Sequence, residues 1–377
     1  MSLQFLDSCG HYADADKLTK YTGLGTGATG TIAITAGISA RSGQAFRATA
    51  NVASNSATAP IGRTFQYASG SKVMGGQRIK YSGSGFTSLK NSTSGDPSNA
   101  SPQLDATWLW AIRISGTTQF WVRLNLDGTI SPMRGSTVLG TTSAPLVTGT
   151  YQYIAFECTI DASSGTFKLW IDSILVLNLT GLNTRNHGSL STWNEVFWNR
   201  LSLNSGSATL DWHDIWIADG SSTNIDGTPS TLTSGIGSDV RIDAQFPTAA
   251  GNSSQFTRST GSNQAATIDE TSANGDTDYN ASSTVNHIDT LTMADLAVAS
   301  ATVYGVQVVV QARKTDAGST GHKAALRIGS TDYLGVEQGV PSTFAFLCMP
   351  WDASPATNSA FTSSEVNALE AGYKKSQ

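Results

Sequence analysis

The chain has 377 residues, of which only 14% are charged, and its formal net charge is −5. This charge excludes nucleic-acid binding through phosphate contacts, and the positions of Cys9, Cys158 and Cys348 suit neither a disulfide framework nor a metal-ligand pair. Ser, Thr, Asn and 37 glycines replace the missing charge, which is typical of turns and uncharged β-strands and excludes a mainly helical protein.

The first 50 residues predict short strands and no targeting signal. Residues 1–18 hold no basic segment followed by an apolar run, so we expect no signal peptide and synthesis in a cytoplasm. The sequence also lacks an apolar run of about 20 residues, so we expect no membrane insertion. Strand-forming residues predict strands at residues 3–6, 31–36 and 45–49.

The next 100 residues add strands and one long loop. We predict strands at residues 63–67, 108–115 and 119–126. Asp127-Gly128 is a turn dipeptide, so a hairpin should lead into a return strand at residues 129–132. Residues 82–102 are rich in Ser, Gly, Asn and Pro and predict a surface loop, either a binding or oligomer contact or a free flap.

The stretch from residue 151 to residue 220 carries the clearest β pattern. Apolar and polar residues alternate over residues 153–160, as they do in a strand with one buried face. A turn sequence follows at residues 161–165, and the alternation resumes at 167–171, which predicts an antiparallel hairpin. We expect these strands to share one sheet and the earlier residues to supply a second sheet packed on it. Further strands are predicted at residues 174–179, 196–203 and 209–218.

Residues 221–237 contain few apolar residues and predict a linker. This divides the chain into a first domain at residues 1–220 and a second domain at residues 238–377. In the second domain Val306, Val308 and Val310 alternate with partly polar residues, which predicts a central strand. The strands predicted in this domain lie at residues 239–245, 301–314, 323–328 and 343–349.

One helix is predicted, close to the C-terminus. Thr362-Ser-Ser-Glu365 is a capping box, in which the hydroxyl and the carboxylate satisfy each other's amide donors. Val366, Leu369 and Tyr373 then recur at helical spacing, so the helix should continue to about residue 373.

Several short motifs, taken in their order, resemble a known family. YQYIAFECTIDASSGTFKLWID at residues 151–172 is followed by LDWHDIWIADG at 210–220 and by GSDVR at 237–241. IDE at 268–270, NGDTDY at 274–279 and ARK at 312–314 complete the series. In this order the motifs resemble the concanavalin A-like (laminin-G-like) jelly roll, and more specifically the structural proteins of tailed bacteriophages that carry it.

The resemblance implies an all-β fold: a concanavalin A-like jelly-roll β-sandwich, then a second, smaller β-sandwich domain and a short C-terminal helix. It also implies a virion structural protein of the tail tip, tail fibre or capsid surface. Such a protein would form a homo-oligomer, a trimer, with other virion proteins as partners and host attachment through a surface glycan. The alternatives are a capsid decoration or cement protein without glycan binding, and a stand-alone carbohydrate-binding module. The chain departs from the family where Trp212 and His213 separate Asp211 from Asp214, which the family usually shows as a pair.

The same superfamily includes retaining glycoside hydrolases, so the chain could carry their catalytic residues. These enzymes need two carboxylates about 5–5.5 Å apart. The superfamily supplies them from a Glu-x-Asp-x-Glu strand, and the corresponding strand here offers Glu157 alone. The sequence also lacks the Gly-x-Ser-x-Gly motif of serine hydrolases. We therefore expect that the protein is not an enzyme.

One stretch has the spacing of a metal site. Asp276, Asp278 and Asn280 place oxygen ligands at alternate positions, for which calcium is the suitable metal. An EF-hand would require glycine and glutamate where the chain has Ala281 and His287. A turn that tolerates acids without any ion is the alternative, and no other cofactor is expected.

Two aromatic pairs are candidates for carbohydrate binding, Trp193-Asn194 and Trp351-Asp352. Sugars stack their apolar faces on aromatic rings, while amides and carboxylates orient their hydroxyls. Packing of these tryptophans inside the sandwich is the alternative.

Overall fold

The computed structural model confirms an all-β protein with a short helix near the C-terminus. Most of the predicted loop at residues 82–102, namely residue 84 and residues 91–102, lies outside the residues that the structure describes. None of the helices in the described segments is long and apolar enough to cross a bilayer. The described residues are 1–21, 30–36, 43–51, 57–83, 85–90, 106–186, 188–233 and 236–377.

The elements are numbered here in chain order. The first fourteen strands are β1 (Leu3–Asp7), β2 (Thr31–Ala36), β3 (Gln44–Asn51), β4 (Ile61–Thr64), β5 (Lys72–Gly83), β6 (Trp108–Ile114), β7 (Thr117–Leu124), β8 (Ile130–Arg134), β9 (Thr137–Val138), β10 (Gln152–Thr159), β11 (Gly165–Ile171), β12 (Ile174–Leu182), β13 (Glu195–Arg200) and β14 (Ser207–Asp219). The others are β15 (Pro247–Ser254), β16 (Thr257–Arg258), β17 (Asn280–Ala281), β18 (Ile288–Met293), β19 (Val306–Ala312), β20 (Gly321–Ile328), β21 (Thr331–Leu334), β22 (Gln338–Gly339), β23 (Ala345–Trp351) and β24 (Glu370–Lys375). The α-helices are α1 (Lys17–Lys20) and α2 (Ser363–Ala368).

Strands β1 to β14 form a jelly-roll β-sandwich. One sheet has eight strands in the order β12-β11-β10-β5-β14-β3-β2, with β1 beside β14. The other has six strands in the order β4-β13-β6-β7-β8-β9. Their facing sides meet in one core, where Phe156 of the larger sheet packs on Trp110 and Phe120 of the smaller one.

Two sequence-based expectations about this sandwich are wrong. The strand predicted at residues 196–203 belongs to the smaller sheet, where β13 pairs with β4 and β6. Strand β5, which the sequence analysis missed, lies between β10 and β14 in the larger sheet. Gly76 permits this position, since a Cβ there would collide with the Trp216 indole nitrogen and the Tyr153 hydroxyl.

Strands β15 to β24 form a smaller β-sandwich. A six-stranded sheet has the order β15-β18-β24-β20-β21, with β22 beside β20, and it faces a two-stranded ribbon of β19 and β23. Leu326 of the sheet and Val308 of the ribbon share one core cluster. The other side of the ribbon presents Phe346 and Cys348 to the core of the first sandwich, so the ribbon packs on both.

Within the described residues β19 pairs only with β23, so the prediction of a central strand is wrong. Its alternating valines pack on the core of the second sandwich, while Val309, on the opposite side of the strand, packs against the core of the first. Residues 239–245 form no described ladder, so the strand predicted there is also wrong.

The terminal helix is shorter than predicted. Thr362 caps it, its hydroxyl accepting a hydrogen bond from the Glu365 amide at 3.1 Å, as the capping box requires. The Glu365 carboxylate instead accepts one from the Ser354 hydroxyl at 2.5 Å. Residues beyond Ala368 form β24 in the middle of the sheet, because pairing with two neighbours outweighs the weak preference of a six-residue helix.

Two apolar residues of the predicted linker, Leu232 and Ile236, pack on the outer face of the eight-stranded sheet. Leu232 and Ile236 lie in one apolar cluster with Tyr153, Trp170 and Trp216 of that sheet. The division of the chain into two domains at residues 221–237 stays a prediction.

Candidate functional site

The described residues cover only part of the outer face of the eight-stranded sheet. Leu232 and Ile236 cover the part near Trp216. At the other part, formed by β2, β3 and the adjoining ends of β14 and β5, Thr31 and Thr49 are exposed to solvent. We call this second part the open face.

Four hydroxyl side chains cross the open face in a row. Thr31 pairs with Thr49, Thr49 with Thr209, and Thr209 with Ser82, each on the next strand of the sheet. Directly paired residues present their side chains on the same face. Neighbouring strands lie about 4.8 Å apart, so the row is about 14 Å long. Each hydroxyl can both donate and accept a hydrogen bond.

A group of three charged residues lies beside the hydroxyl row. Asp211 pairs directly with Arg47 on one side and with Lys80 on the other. Arg47 donates two hydrogen bonds to the Asp211 carboxylate, at 2.7 and 2.8 Å, and the Lys80 ammonium lies 3.4 Å from it. The carboxylate is buried, whereas the Arg47 side chain is 31% exposed. The hydrogen bonds from Arg47 to Asp211 raise the pKa of the guanidinium.

Tyr151 borders this charged group. The Lys80 ammonium lies 4.7 Å from the centre of its ring, and the His213 ring meets it edge-on at 5.2 Å. The Tyr151 hydroxyl is buried and has no hydrogen-bond partner among the described residues. Burial, reinforced by the negative charge of Asp211, raises the pKa of this hydroxyl, so the phenol stays neutral.

Together these residues place donors, acceptors and an aromatic ring on a rigid sheet. The hydroxyl row and the Arg47 guanidinium can bind a neutral or anionic polyhydroxylated ligand through hydrogen bonds. Since Asp211 already holds Arg47, little side-chain freedom would be lost on binding.

The structure does not present Trp193 as a platform for sugar stacking. Its side chain is 1% exposed, its indole N–H donates to the Lys72 carbonyl at 2.9 Å, and its ring packs edge-on against Phe65. The Asn194 side chain accepts a hydrogen bond from the Ser115 amide at 3.1 Å. Because the ring fills the core, it has no free face for a sugar.

Trp351 and Asp352 are likewise structural in this arrangement, and both are fully buried. The Trp351 indole donates to Asp226 at 2.8 Å. The Asp352 carboxylate accepts hydrogen bonds from the backbone amides of Leu3 and Thr231, each at 2.9 Å. The pair therefore joins distant segments of the chain, and neither side chain faces solvent.

Each of the three candidate calcium ligands has a partner of its own. Asp276 forms an ion pair with Arg313 at 2.8 Å. The side-chain Oδ1 of Asn280 accepts a hydrogen bond from the Thr267 hydroxyl at 2.7 Å. Asp278 accepts one from a neighbouring asparagine. Among the described residues no group of three His, Cys, Asp or Glu is arranged to hold a metal. A calcium site at Asp276, Asp278 and Asn280 stays a prediction.

No protein-family model matches the sequence, and no curated protein matches it. Solved structures do match. An endo-β-1,4-glucuronan lyase from Trichoderma reesei is 12% identical with a TM-score of 0.41, over 58% of this chain and 96% of that one. The lectin UEA-II complexed with galactose is 9% identical with a TM-score of 0.36, over 57% and 97%. The carbohydrate-binding module CBM66 from Bacillus subtilis is 12% identical with a TM-score of 0.28, over 52% and 94%.

At these identities and TM-scores the matches carry no argument about this chain's activity or ligand, and the jelly-roll β-sandwich is shown by the strand order given above. They include carbohydrate-binding proteins and give no indication of a bacteriophage origin.

The expectation that the protein is not an enzyme is contradicted by these matches, because they include a lyase. The sequence lacks the carboxylate pair of glycoside hydrolases and the Gly-x-Ser-x-Gly motif of serine hydrolases. Their absence does not bear on other routes to sugar cleavage, so it does not exclude enzymes in general.

The sequence analysis did not single out the residues of the open face. A usable signal was present in β3 and β14, where Arg47 and Thr49, and likewise Thr209 and Asp211, are the polar members of an alternating pattern. No such signal was available for Lys80, because no strand was predicted around it.

Proposed function

We propose that this chain binds carbohydrate through the open face of its eight-stranded sheet. The observation that carries the proposal is the row of four hydroxyls beside the Arg47–Asp211–Lys80 group. A sugar presents hydroxyls that act as donors and acceptors in several directions, and the open face offers matching partners over about 14 Å.

The arrangement also suits the energetics of sugar binding. Each hydrogen bond to a sugar replaces one to water and therefore contributes little by itself. Affinity then depends on groups that are already oriented before the ligand arrives. The β-ladder fixes the hydroxyl row, and Asp211 fixes Arg47, so both sets are held in place.

The proposal extends to a biological role as a bacteriophage virion structural protein. The order of the motifs from residue 151 to residue 314 supports it, as does the uncharged Ser/Thr/Asn-rich composition, which suits a rigid particle component. In this role the protein is a homo-oligomer that contacts other virion proteins, and a host-surface glycan is its ligand. Mass spectrometry of purified phage particles would detect the chain; its consistent absence would leave the stand-alone carbohydrate-binding module.

A glycan array tests the binding function. The fluorescently labelled full-length protein should be retained on one class of oligosaccharide, and the same free oligosaccharide should elute it. Retention on no glycan, or retention that free sugar does not reverse, would contradict the proposal. Chromatography of the eluted sugar shows in the same experiment whether the bound chain is cleaved.

A further inference from the structure

We propose that strand β12 is the contact through which two copies of this chain associate. Its side chains are unusually exposed for apolar groups: Ile174 is 67% exposed and Leu175 is 45% exposed. Val176, Leu177 and Leu179 of the same strand are partly buried and pack against the core of the first sandwich, so the exposed apolar surface lies at Ile174 and Leu175. Side chains of this kind on a strand at the edge of a sheet mark an interaction surface.

The backbone of β12 is free to pair with another strand. It lies at the end of the eight-stranded sheet, and within the described residues β11 is its only partner. The N–H and C=O groups on its outer edge are therefore available to a further strand. Soluble proteins commonly protect such an edge with lysine or proline, and residues 173–184 contain neither.

The charges on either side of β12 favour a second copy of the same strand. Residues 173–184 carry no charge, Asp172 precedes them and Arg185 follows them. When two copies pair antiparallel about a two-fold axis, Asp172 of one copy lies at the same end as Arg185 of the other. The flanking charges attract, and the uncharged centre brings no like charges together.

The same symmetry places the axis at Asn178, because a two-fold axis perpendicular to the sheet brings a residue opposite its own copy. The ladder with β11 shifts its register between Leu169 and Trp170 and again between Gly165 and Phe167, so β12 is irregular near Val176 and between Leu179 and Leu182. The regular part of the ladder, from Leu177 to Leu179, lies at the proposed axis. The irregular parts of β12 therefore lie outside the centre of the proposed contact.

This contact is independent of carbohydrate binding. In the strand order of the sheet β12 lies at one end and β2, which carries the open face, at the other. Association through β12 would leave both open faces accessible, so its failure and the failure of glycan binding are separate results.

Light scattering on the purified full-length protein tests the association. The wild type should have twice the chain mass of 39.5 kDa. The double substitution Ile174→Lys/Leu175→Lys should yield the monomer, because it places like charges in the contact. Val147→Lys, at a position 54% exposed and outside β12, should leave the dimer intact. A monomeric or trimeric wild type, or a lysine variant that remains dimeric, would overturn the proposal.

A crosslink tests the antiparallel register. Asn178→Cys places the thiols of the two copies directly opposite each other across the axis and on the same face, where the Cα atoms lie within disulfide range, about 4.4–6.8 Å. Mild oxidation should give a covalent dimer, whereas Val147→Cys should not. The three native cysteines are buried and should not interfere. A dimer that Asn178→Cys fails to crosslink would contradict the proposed register.

Discussion

The carboxylate of Asp352 accepts a hydrogen bond from the backbone amide of Leu3 at 2.9 Å, across 349 positions of the chain. Its second oxygen accepts one from the amide of Thr231, also at 2.9 Å. One buried side chain thus joins β1, the segment after β14, and the end of β23. This is the physical reason why a residue chosen as a sugar ligand serves the fold instead.

Substitution of Asp352 should therefore destabilise the protein. Asp352→Ala leaves two buried backbone amides without acceptors, each costing about 1–3 kcal/mol, so we expect a loss of about 3 kcal/mol in the free energy of unfolding. Urea denaturation measures this loss, and hydrogen exchange at Leu3 and Thr231 should accelerate. The exposed Asp316→Ala serves as control and should change stability by less than about 0.5 kcal/mol.

Asp211 should matter more to stability than other acids on the same face. Asp211→Asn removes the buried counter-charge of Arg47 and Lys80, and we expect the free energy of unfolding to fall by about 2 kcal/mol. The matched variant Asp239→Asn breaks a partly exposed pair with Arg78 and should cost less than about 1 kcal/mol. Equal losses in denaturant titrations of the two variants would argue against a buried ion group at Asp211.

Gly76→Ala should disrupt the centre of the larger sheet. The added methyl group would collide with the Trp216 indole, which donates to the Tyr153 hydroxyl at 2.7 Å. Overpacking of this kind costs about 1–3 kcal/mol, and thermal unfolding should shift downward accordingly. Gly339→Ala has open space around the new methyl group, so its melting temperature should match that of the wild type.

The stability of the fold should fall steeply in acid because of Asp7. Burial raises the pKa of this carboxyl, but the Lys20 ammonium at 3.1 Å and hydrogen bonds from Tyr12 and Tyr21 outweigh it and lower the pKa from 3.8 to about 2. A lowered pKa stabilises the fold fully above the unfolded value, and this stabilisation, about 2 kcal/mol, is lost as the pH falls from about 4 toward 2. Carbon NMR of the Asp7 carboxyl should give a midpoint near 2; a midpoint at 4 or above would refute the prediction.

Much of the fold was predictable because it depends on local patterns. Strand β2 was predicted to the residue, and the hairpin of β10 and β11 forms around the expected turn, since alternation and turn residues act over short distances. Strand β5 was not predicted, because Gly75 and Gly76 lie in it and glycine is ordinarily a poor strand residue. Gly76 is needed there because a larger residue would collide with Trp216, which is distant in sequence. Likewise β24 is a strand only because two other strands flank it.

The site was less predictable than the fold. Tryptophans were chosen as sugar platforms by residue type, but whether a ring such as that of Trp193 is exposed depends on which sheet covers it. The open face arises from the register of four strands, of which β14 is distant in sequence from the other three. The link between Thr49 and Thr209 spans 160 positions, and no local pattern encodes it.

Calorimetric titration of the glycan retained most strongly on the array tests the central claim most directly. Thr49→Arg fills the hydroxyl row with a large side chain at an exposed position, whereas Thr331→Arg makes the same change on an exposed strand residue of the second sandwich. We expect the wild type and Thr331→Arg to bind with the same affinity, and Thr49→Arg to bind at least tenfold more weakly, about 1.4 kcal/mol. Unchanged affinity in a folded Thr49→Arg variant would contradict a carbohydrate site on the open face.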